Sequence, residues 1–176
     1  MKSRSLAAIS LALALSFPPA YAAEGDPGIL AVIESFRTSI IDKDRERFLD
    51  LFVQQDVPWQ SVLDDKSLAQ VQAKHPEAIK ARFKKENTPV AFIDGIVASK
   101  NRSEETFSNS KIDSDGEVAA VTFDYSFLSN GKSTNWGKEC WLMVRTGAGW
   151  KITTVAYSVT LAPPRLTGGP TVLDWR

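Results

Sequence analysis

Residues 136–160 read WGKECWLMVRTGAGWKITTVAYSVT, with two runs rich in β-branched and aromatic residues on either side of the turn-like segment TGAG. Such runs around a glycine-containing turn predict a β-hairpin. Upstream, Asn130-Gly131 predicts a second hairpin, because both central residues of a type I′ turn need positive φ. Asp115-Gly116 predicts a third. The stretch between Asn101 and Leu161 is therefore expected to form a four-stranded antiparallel meander.

The chain before this meander has the spacing of helices. Asp26-Pro27 places a capping residue before a proline at the first helical position, and Thr88-Pro89 repeats the signal for a later helix. Apolar residues follow each start at helical intervals, and a short second helix is expected after Asp44. The apolar side chains expected to be buried are Ile29, Leu30, Ile33, Phe36, Ile40 and Ile41 in the first helix, Phe48, Leu49 and Phe52 in the second, and Val90, Ile93 and Val97 in the last.

Two further elements are predicted between these helices. Residues 56–63 indicate a short strand, which Pro58 confines to a sheet edge or to its own first residues. Ser67 to Gln70 fits a capping box, and the helix it opens is expected to break at Pro76 and resume over residues 77–84. Helices first and a meander last are the pattern of an α+β domain.

The first 22 residues predict a signal peptide. Lys2 and Arg4 form a basic start, residues 6–17 are apolar or small, and two prolines precede Ala20-Tyr21-Ala22. The apolar run is shorter than the roughly 20 residues that span a bilayer. We expect cleavage near Ala22 and a periplasmic or secreted protein without a membrane span. Residues 23–162 then form a single domain, and residues 163–176 an irregular tail.

Composition excludes several classes of function. Subtracting Lys2 and Arg4 from 21 basic residues leaves 19, against 21 acidic residues, and no basic block suggests a nucleic-acid partner. One histidine, His75, and one cysteine, Cys140, cannot supply the clusters of ligands that zinc sites need. No dinucleotide, phosphate-loop or nucleophile motif is present, so no cofactor is expected. Cys140 is expected to be a packed strand residue.

Three segments carry a resemblance to a known family: DRERFLDLF at 44–52, FDYSFLSNGK at 123–132 and LMVRTGAGWKI at 142–152. In their order along the chain, over residues 26–161, they resemble the nuclear transport factor 2-like superfamily, also called SnoaL-like, as an exported bacterial member. The resemblance implies a cone, in which a curved antiparallel sheet wraps a long N-terminal helix and leaves a pocket. Members include isomerase-, dehydratase- and cyclase-like enzymes as well as non-catalytic binding modules, so the fold alone does not give the function.

The resemblance also allows a test for catalysis. Isomerase-like members use an aspartate on the strand after the second helix as a general base, and that position corresponds here to Gln60, or to Trp59 or Ser61 in a shifted register. None of these side chains can remove a proton from carbon. Dehydratase-like members rely on histidines, and His75 lies in a charged stretch typical of a solvated surface. At the mouth of a pocket it would instead be a possible base.

Counting residue pairs outward from the turns divides the meander into two faces. The count pairs Arg145 with Trp150 and Ser129 with Lys132. The pairs expected further out are Met143 with Ile152, Trp141 with Thr154, Glu139 with Ala156, Gly137 with Ser158, Ser126 with Asn135, Asp124 with Gly137, and Thr122 with Glu139. The resemblance places Trp150 and Ile152 on the concave side, so the face that they share becomes the pocket wall.

The pocket predicted in this way has two carboxylates. Asp124 and Glu139 would be diagonal neighbours about 7–8 Å apart, where a general acid and a general base could form; the alternative is that both lie at a solvated end of the sheet. A single β-bulge would exchange the faces beyond it, which keeps Tyr125 as a possible pocket hydroxyl. The residues predicted to line the pocket are Trp59, Tyr125, Asn135, Trp141, Met143 and Ser158.

The opposite face predicts a homodimer, because its aromatic residues would form an exposed patch larger than monomers usually tolerate. The residues assigned to this interface are Phe123, Phe127, Trp136, Leu142 and Tyr157. Three functions remain open: a binding protein for a small apolar or amphipathic molecule, an enzyme using Asp124 and Glu139, and an interaction module whose pocket is vestigial. The missing base favours the first.

Overall fold

Four helices and five strands form from the residues that the computed structural model describes, 25–81 and 84–163. The predicted signal peptide and residues 164–176 of the predicted tail lie outside these ranges. In chain order the elements are α1 Pro27–Asp42, α2 Arg45–Leu49, β1 Trp59–Leu63, α3 Asp65–Gln72, α4 Pro89–Ala98, β2 Ser103–Ser114, β3 Val118–Ser129, β4 Lys132–Thr146 and β5 Gly149–Leu161. No described helix combines the length and the apolar character needed to cross a membrane.

The predicted helix starts at Asp26 and Thr88 are confirmed. The Asp26 carboxylate accepts a hydrogen bond from the Gly28 amide at 2.8 Å, and the Thr88 hydroxyl accepts one from the Ala91 amide at 3.2 Å. The buried faces differ in detail, because each helix turns slightly from the predicted direction. The buried residues are Ile29, Val32, Phe36, Ser39 and Ile40 in α1, and Pro89, Ile93 and Ile96 in α4, whereas Leu30 and Val97 are exposed.

Two predictions for the middle of the chain are wrong. The cap of α3 is Asp64, whose carboxylate accepts from the Ser67 amide at 2.7 Å, so that Ser67 lies inside the helix. Residues 77–81 form turns and a bridge rather than a helix. There the Lys80 carbonyl accepts from the Leu63 amide and Ala81 bridges Val62, so the segment covers the free edge of β1. Pairing an exposed strand edge outweighs the local preference for helix.

The meander is confirmed and gains a fifth strand. The order in the sheet is β1-β5-β4-β3-β2, with β1 parallel to β5 and all other pairs antiparallel. Asn130 and Gly131 have φ of 50° and 73°, as their type of turn requires. Helices first and a largely antiparallel sheet last make this an α+β domain, with α1 packed against the sheet.

Two β-bulges shift the register that the pairing count assumed. The predicted pairs nearest the turns are correct, but Thr153 is an extra residue beside Leu142, and Thr134 is an extra residue beside Phe127. Each threonine hydroxyl donates to the carbonyl of the residue across from it, at 3.0 and 3.1 Å. The pairs observed beyond the bulges are Trp141 with Val155, Glu139 with Tyr157, Ser126 with Trp136, Asp124 with Lys138 and Thr122 with Cys140.

Because a shift by one residue exchanges the faces of a strand, β3 and the outer part of β5 are reversed relative to the prediction. The aromatic residues Phe123, Phe127 and Tyr157 turn inward, and Asp124 turns outward. Three of the five residues assigned to a dimer interface therefore lie in the core. Trp136 and Leu142 remain exposed, at 40% and 54%. The homodimer stays a prediction, which now depends on these two side chains.

An aromatic cluster around Phe36 fills the space between the sheet and the helices. Phe36 is fully buried, and its ring centroid lies 4.9 Å from that of Phe48 and 4.8 Å from that of Trp141. Further rings surround it at 5.9 to 6.5 Å, namely Phe107, Trp59 and Phe92. The cone is therefore packed with side chains over much of its depth.

Candidate functional site

Five polar side chains from the four meander strands meet on the concave side of the sheet. They are Glu105 on β2, Tyr125 on β3, Asn135 and Glu139 on β4, and Tyr157 on β5, and we call them the polar cluster. The register places them in two rows: Glu105 pairs with Phe127, which pairs with Asn135, and Glu139 pairs with Tyr157. Tyr125 lies between the rows because residues two apart on a strand share a face.

Both carboxyl groups of the polar cluster are removed from solvent. Glu105 is 4% exposed and Glu139 is 2% exposed. One oxygen of Glu139 accepts a hydrogen bond of 2.5 Å from the indole nitrogen of Trp141. The Tyr125 hydroxyl lies 2.9 Å from the Ser158 carbonyl and 3.1 Å from the amide oxygen of Asn135, and either oxygen can accept its proton.

Glu105 differs from the other members because no hydrogen bond to its carboxyl group is found among residues 25–81 and 84–163. Its carboxyl oxygens are not fully enclosed, unlike the unpartnered amide oxygen of Gln60. More than 90% of buried polar groups in folded proteins have such a partner. A carboxyl group without such a partner in the protein can form a hydrogen bond with a bound molecule.

Burial sets the protonation of the cluster. Removal from water raises the pKa of Glu139 to about 7, and the hydrogen bond from Trp141 opposes part of this rise. The same burial, together with repulsion from Glu139, raises the pKa of Glu105 well above its ordinary value. Burial also raises the pKa of Tyr157 to about 12 and that of Tyr125 in the same direction. Both phenols keep their protons at neutral pH, Glu139 titrates near pH 7, and the environment of Glu105 favours its protonated form.

The walls beside the cluster are aromatic. The rings of Tyr125 and Tyr157 meet edge to face with centroids 5.9 Å apart, and Trp59 meets Tyr157 at 6.2 Å. Phe92, which is half-buried on α4, packs against Trp59 at 4.9 Å and Phe127 at 6.1 Å. These rings make the wall beside the cluster apolar, so the apolar part of a molecule that reaches the cluster would contact them.

Two open clefts are found elsewhere, on the surface. One of about 460 Å³ lies between the start of α1 and the β4–β5 turn, and one of about 510 Å³ surrounds α2. Neither is lined by a member of the polar cluster. Among the described residues, no group of three or more histidine, cysteine, aspartate or glutamate side chains is arranged to hold a metal ion.

Comparison with solved structures identifies the architecture. A nuclear transport factor 2-like superfamily protein from Salmonella enterica serovar Typhimurium is 17% identical, with a TM-score of 0.51 over 81% of this chain and 94% of its own. A candidate scytalone dehydratase from Novosphingobium aromaticivorans is 15% identical, with a TM-score of 0.53 over 76% of this chain and 83% of its own. This chain has the nuclear transport factor 2-like fold. No protein-family model and no curated protein matches its sequence.

Within the nuclear transport factor 2-like fold of this chain, five of the six residues predicted to line the pocket face the interior: Trp59, Tyr125, Asn135, Trp141 and Met143. Ser158 is exposed, and its hydroxyl accepts a hydrogen bond of 2.9 Å from the Lys138 amide on the other side of the sheet. Only its backbone carbonyl reaches the cluster, through Tyr125.

The predicted pair of carboxylates, Asp124 and Glu139, is separated by the sheet. Asp124 accepts hydrogen bonds from the side chain of Asn109 and forms an ion pair with Lys138, at 2.7 Å each. These contacts lower the pKa of Asp124. The carboxyl group that does accompany Glu139 is Glu105, which the pairing count did not reach. The alternation of the sequence predicts that Ser103, Glu105 and Phe107 share one face of β2. Which of the two faces points into the interior depends on the register of β2, which the sequence does not give.

Three other residues singled out in the sequence lie away from the cluster, namely Gln60, His75 and Cys140. Gln60 pairs with Ala156 on the outer side of β1, and its buried amide oxygen has no partner within the described ranges. Ser61, in the adjacent position, pairs with Tyr157 instead. His75 is half-buried, with its ring nitrogen 3.6 Å from the Glu77 carboxylate. Cys140 is also exposed, on the outer face, contrary to the expectation that it is packed.

Proposed function

We propose that this chain is an exported protein that binds a small amphipathic molecule in the interior of the cone. The polar end of the molecule contacts Glu105 and Glu139, and its apolar part contacts the rings around them. The observation that carries the proposal is that two carboxyl groups, those of Glu105 and Glu139, lie in the apolar interior of the cone, and that no hydrogen bond to Glu105 is found among the described residues.

The energetics of burial support a functional role for the pair. Removing carboxyl groups from water costs several kcal/mol each when they ionise. Apolar residues of similar volume at the same positions would often be more stable. Ionisable groups with pKa values shifted strongly by burial and by a specific neighbour are concentrated at functional sites. An interaction module with a vestigial pocket explains the packing of Trp59 and Trp141, but it leaves Glu105 unexplained.

An acid–base enzyme is the second candidate, and one observation favours it. Burial and repulsion from Glu139 favour the protonated form of Glu105, whereas Glu139 titrates near pH 7, so the pair can supply an acid and a base on the same side of the sheet. The fold has a neighbour described as a candidate scytalone dehydratase. In this alternative Glu139 removes a proton from a bound substrate and Glu105 supplies one. Both candidate functions require a small molecule to bind in the interior of the cone.

Export is part of the proposal and has its own test. The protein would be produced from its full-length gene in a Gram-negative bacterium, and the periplasmic fraction examined by intact-mass spectrometry. A mature chain that begins near Ala23 is the expected product. Recovery of the chain in the cytoplasm with Met1 and Lys2 still attached would contradict export.

Binding is tested with four compounds that share a phenylmethyl group and differ in their polar end: 2-phenylethylamine, 2-phenylethanol, phenylacetone and phenylacetate. We expect at least one of them to raise the melting temperature of the purified protein and to quench its tryptophan fluorescence. Glu105→Gln should reduce the effect, and Asp124→Asn, which removes a carboxylate from the outer face, should leave it unchanged. If none of the four affects the wild-type protein at millimolar concentration, the proposal is wrong.

A further inference from the structure

The interior of the cone holds two carboxyl groups, and no basic side chain of the described residues acts on them. The shifted pKa values of Glu105, Glu139, Tyr125 and Tyr157 arise from burial, from hydrogen bonds and from one another. No lysine, arginine or histidine within residues 25–81 and 84–163 contributes to them. The basic groups nearest in register, such as Lys138, face outward and pair there with Asp124.

Aromatic rings surround these carboxyl groups. Trp141 hydrogen-bonds to Glu139 and also lies in ring contact with Phe107 and Phe123. Trp59 and Tyr157 meet on the other side of the cluster. Ring faces attract cations within about 6 Å, most strongly where water is excluded. Carboxylates and ring faces together attract a positive group and repel an anion.

On these two observations we propose that the bound molecule is an organic cation: a protonated amine on an aromatic or aliphatic body. Its N–H groups donate to Glu105 and Glu139, and its apolar body packs among the rings. This inference rests on the proposed binding function and names the chemical class of the ligand. An ammonium group supplies both N–H donors for Glu105 and a positive charge beside the carboxyl groups, whereas a neutral alcohol supplies only a donor.

The binding reaction has a proton balance that can be measured. A cation within hydrogen-bonding distance favours the ionised form of a carboxyl group. The interior favours the protonated forms of Glu105 and Glu139 in the free protein, so binding of an ammonium ion should release protons from this pair to the solvent. A neutral ligand causes no such release.

The experiment is isothermal titration calorimetry of the full mature chain with 2-phenylethylamine, and with 2-phenylethanol as the matched neutral compound. Each titration is repeated at pH 7 in two buffers that differ in ionisation enthalpy, which reports the protons released. We expect the amine to bind at least about tenfold more tightly than the alcohol, because charge-assisted hydrogen bonds are stronger than neutral ones. Proton release should accompany the amine alone.

Two variants test whether the preference for the amine and the proton release arise at Glu105. Glu105→Gln should reduce both the preference for the amine over the alcohol and the number of protons released, and circular dichroism would confirm that it folds. Asp124→Asn should change neither quantity. Binding of the alcohol or of phenylacetate as tightly as the amine would overturn the cationic ligand but leave the binding function standing. Failure of all the compounds to bind would contradict both proposals.

Discussion

Glu105 and Glu139 are carboxyl groups that the fold removes from water, and their environment makes the stability of the protein depend on pH. The pKa of Glu139 is about 7 in the folded protein, against an ordinary value of 4.5 in the unfolded chain. The folded state therefore holds a proton over a range of pH in which the unfolded state has lost it. The contribution to stability is complete below pH 4.5 and is lost as the pH rises through 7.

We therefore expect the wild-type protein to be less stable at pH 8 than at pH 5. The difference in free energy of unfolding attributable to Glu139 is on the order of 3 kcal/mol. Glu139→Gln keeps the acceptor for Trp141 but cannot ionise, so it should be more stable than the wild type at pH 8 and depend less on pH. Urea unfolding at the two pH values measures this.

Asp124→Asn is the control for the pH prediction. The pKa of Asp124 is lowered, so its carboxylate stays ionised throughout the interval from pH 5 to 8. Its removal should leave the pH dependence as it is in the wild type. A wild-type protein that is equally stable at pH 5 and pH 8 would show that the interior carboxyl groups are not buried as described.

At the scale of elements, the two bulges decide the composition of the site. The sequence between the turns alternates regularly, so a count of residues from each turn assigns every face without a break. Thr134 and Thr153 interrupt that count, and each hydroxyl replaces a ladder hydrogen bond by donating to a carbonyl across the strand. Threonine is common in strands that contain no bulge, so its presence in the sequence does not predict one. Tyr125, Tyr157 and Phe127 reach the interior only because of these two residues.

The close approach of β4 and β5 beside the cluster leads to a second prediction. A Cβ atom at Gly137 would lie 2.1 Å from the Ser158 carbonyl oxygen, the same oxygen that faces the Tyr125 hydroxyl. Gly137→Ala should lower the free energy of unfolding by about 1–3 kcal/mol, because the two strands have to move apart. It should also weaken the hydrogen bond that holds Tyr125. Chemical denaturation measures the first effect.

Gly147→Ala is the matched control for this strand pair. No atom lies within 4 Å of the position that its Cβ would take, and its backbone is outside the left-handed region. Its stability should stay within about 0.5 kcal/mol of the wild type. Equal destabilisation by the two substitutions would show that glycine flexibility, rather than the approach of the strands, is responsible.

At the scale of the whole molecule, one aromatic cluster joins α1, the other helices and the sheet. Phe36→Ala should lower the free energy of unfolding by about 3–5 kcal/mol, because Phe36 is fully buried and the rings around it cannot close the cavity that is left. Thermal and urea unfolding measure the loss. Leu30→Ala, on the exposed side of the same helix, should cost about 0.5 kcal/mol or less. A similar loss for both variants would contradict the packing of α1 described above.

The starts of α1 and α4, the order of the strands along the chain and the three hairpin turns could be predicted because each depends on residues next to one another in the chain. Asp26-Pro27, Thr88-Pro89 and Asn130-Gly131 act through local backbone geometry, and the structure confirms all three. Glu139, Trp141 and Met143 were also placed correctly, because their strand was counted from the turn at 146–149 before a bulge intervened in it.

Tertiary structure alone decided the rest. Residues 77–81 follow a helical pattern, but they pair with the edge of β1, which lies close only in the folded chain. Glu105 is 34 residues from Glu139 in the sequence, and the register across three strands puts the two side chains on the same side of the sheet. Sequence determines the elements of this protein because their signals are local. The faces of its strands, and with them the composition of its interior site, depend on hydrogen bonds between strands, which no local pattern specifies.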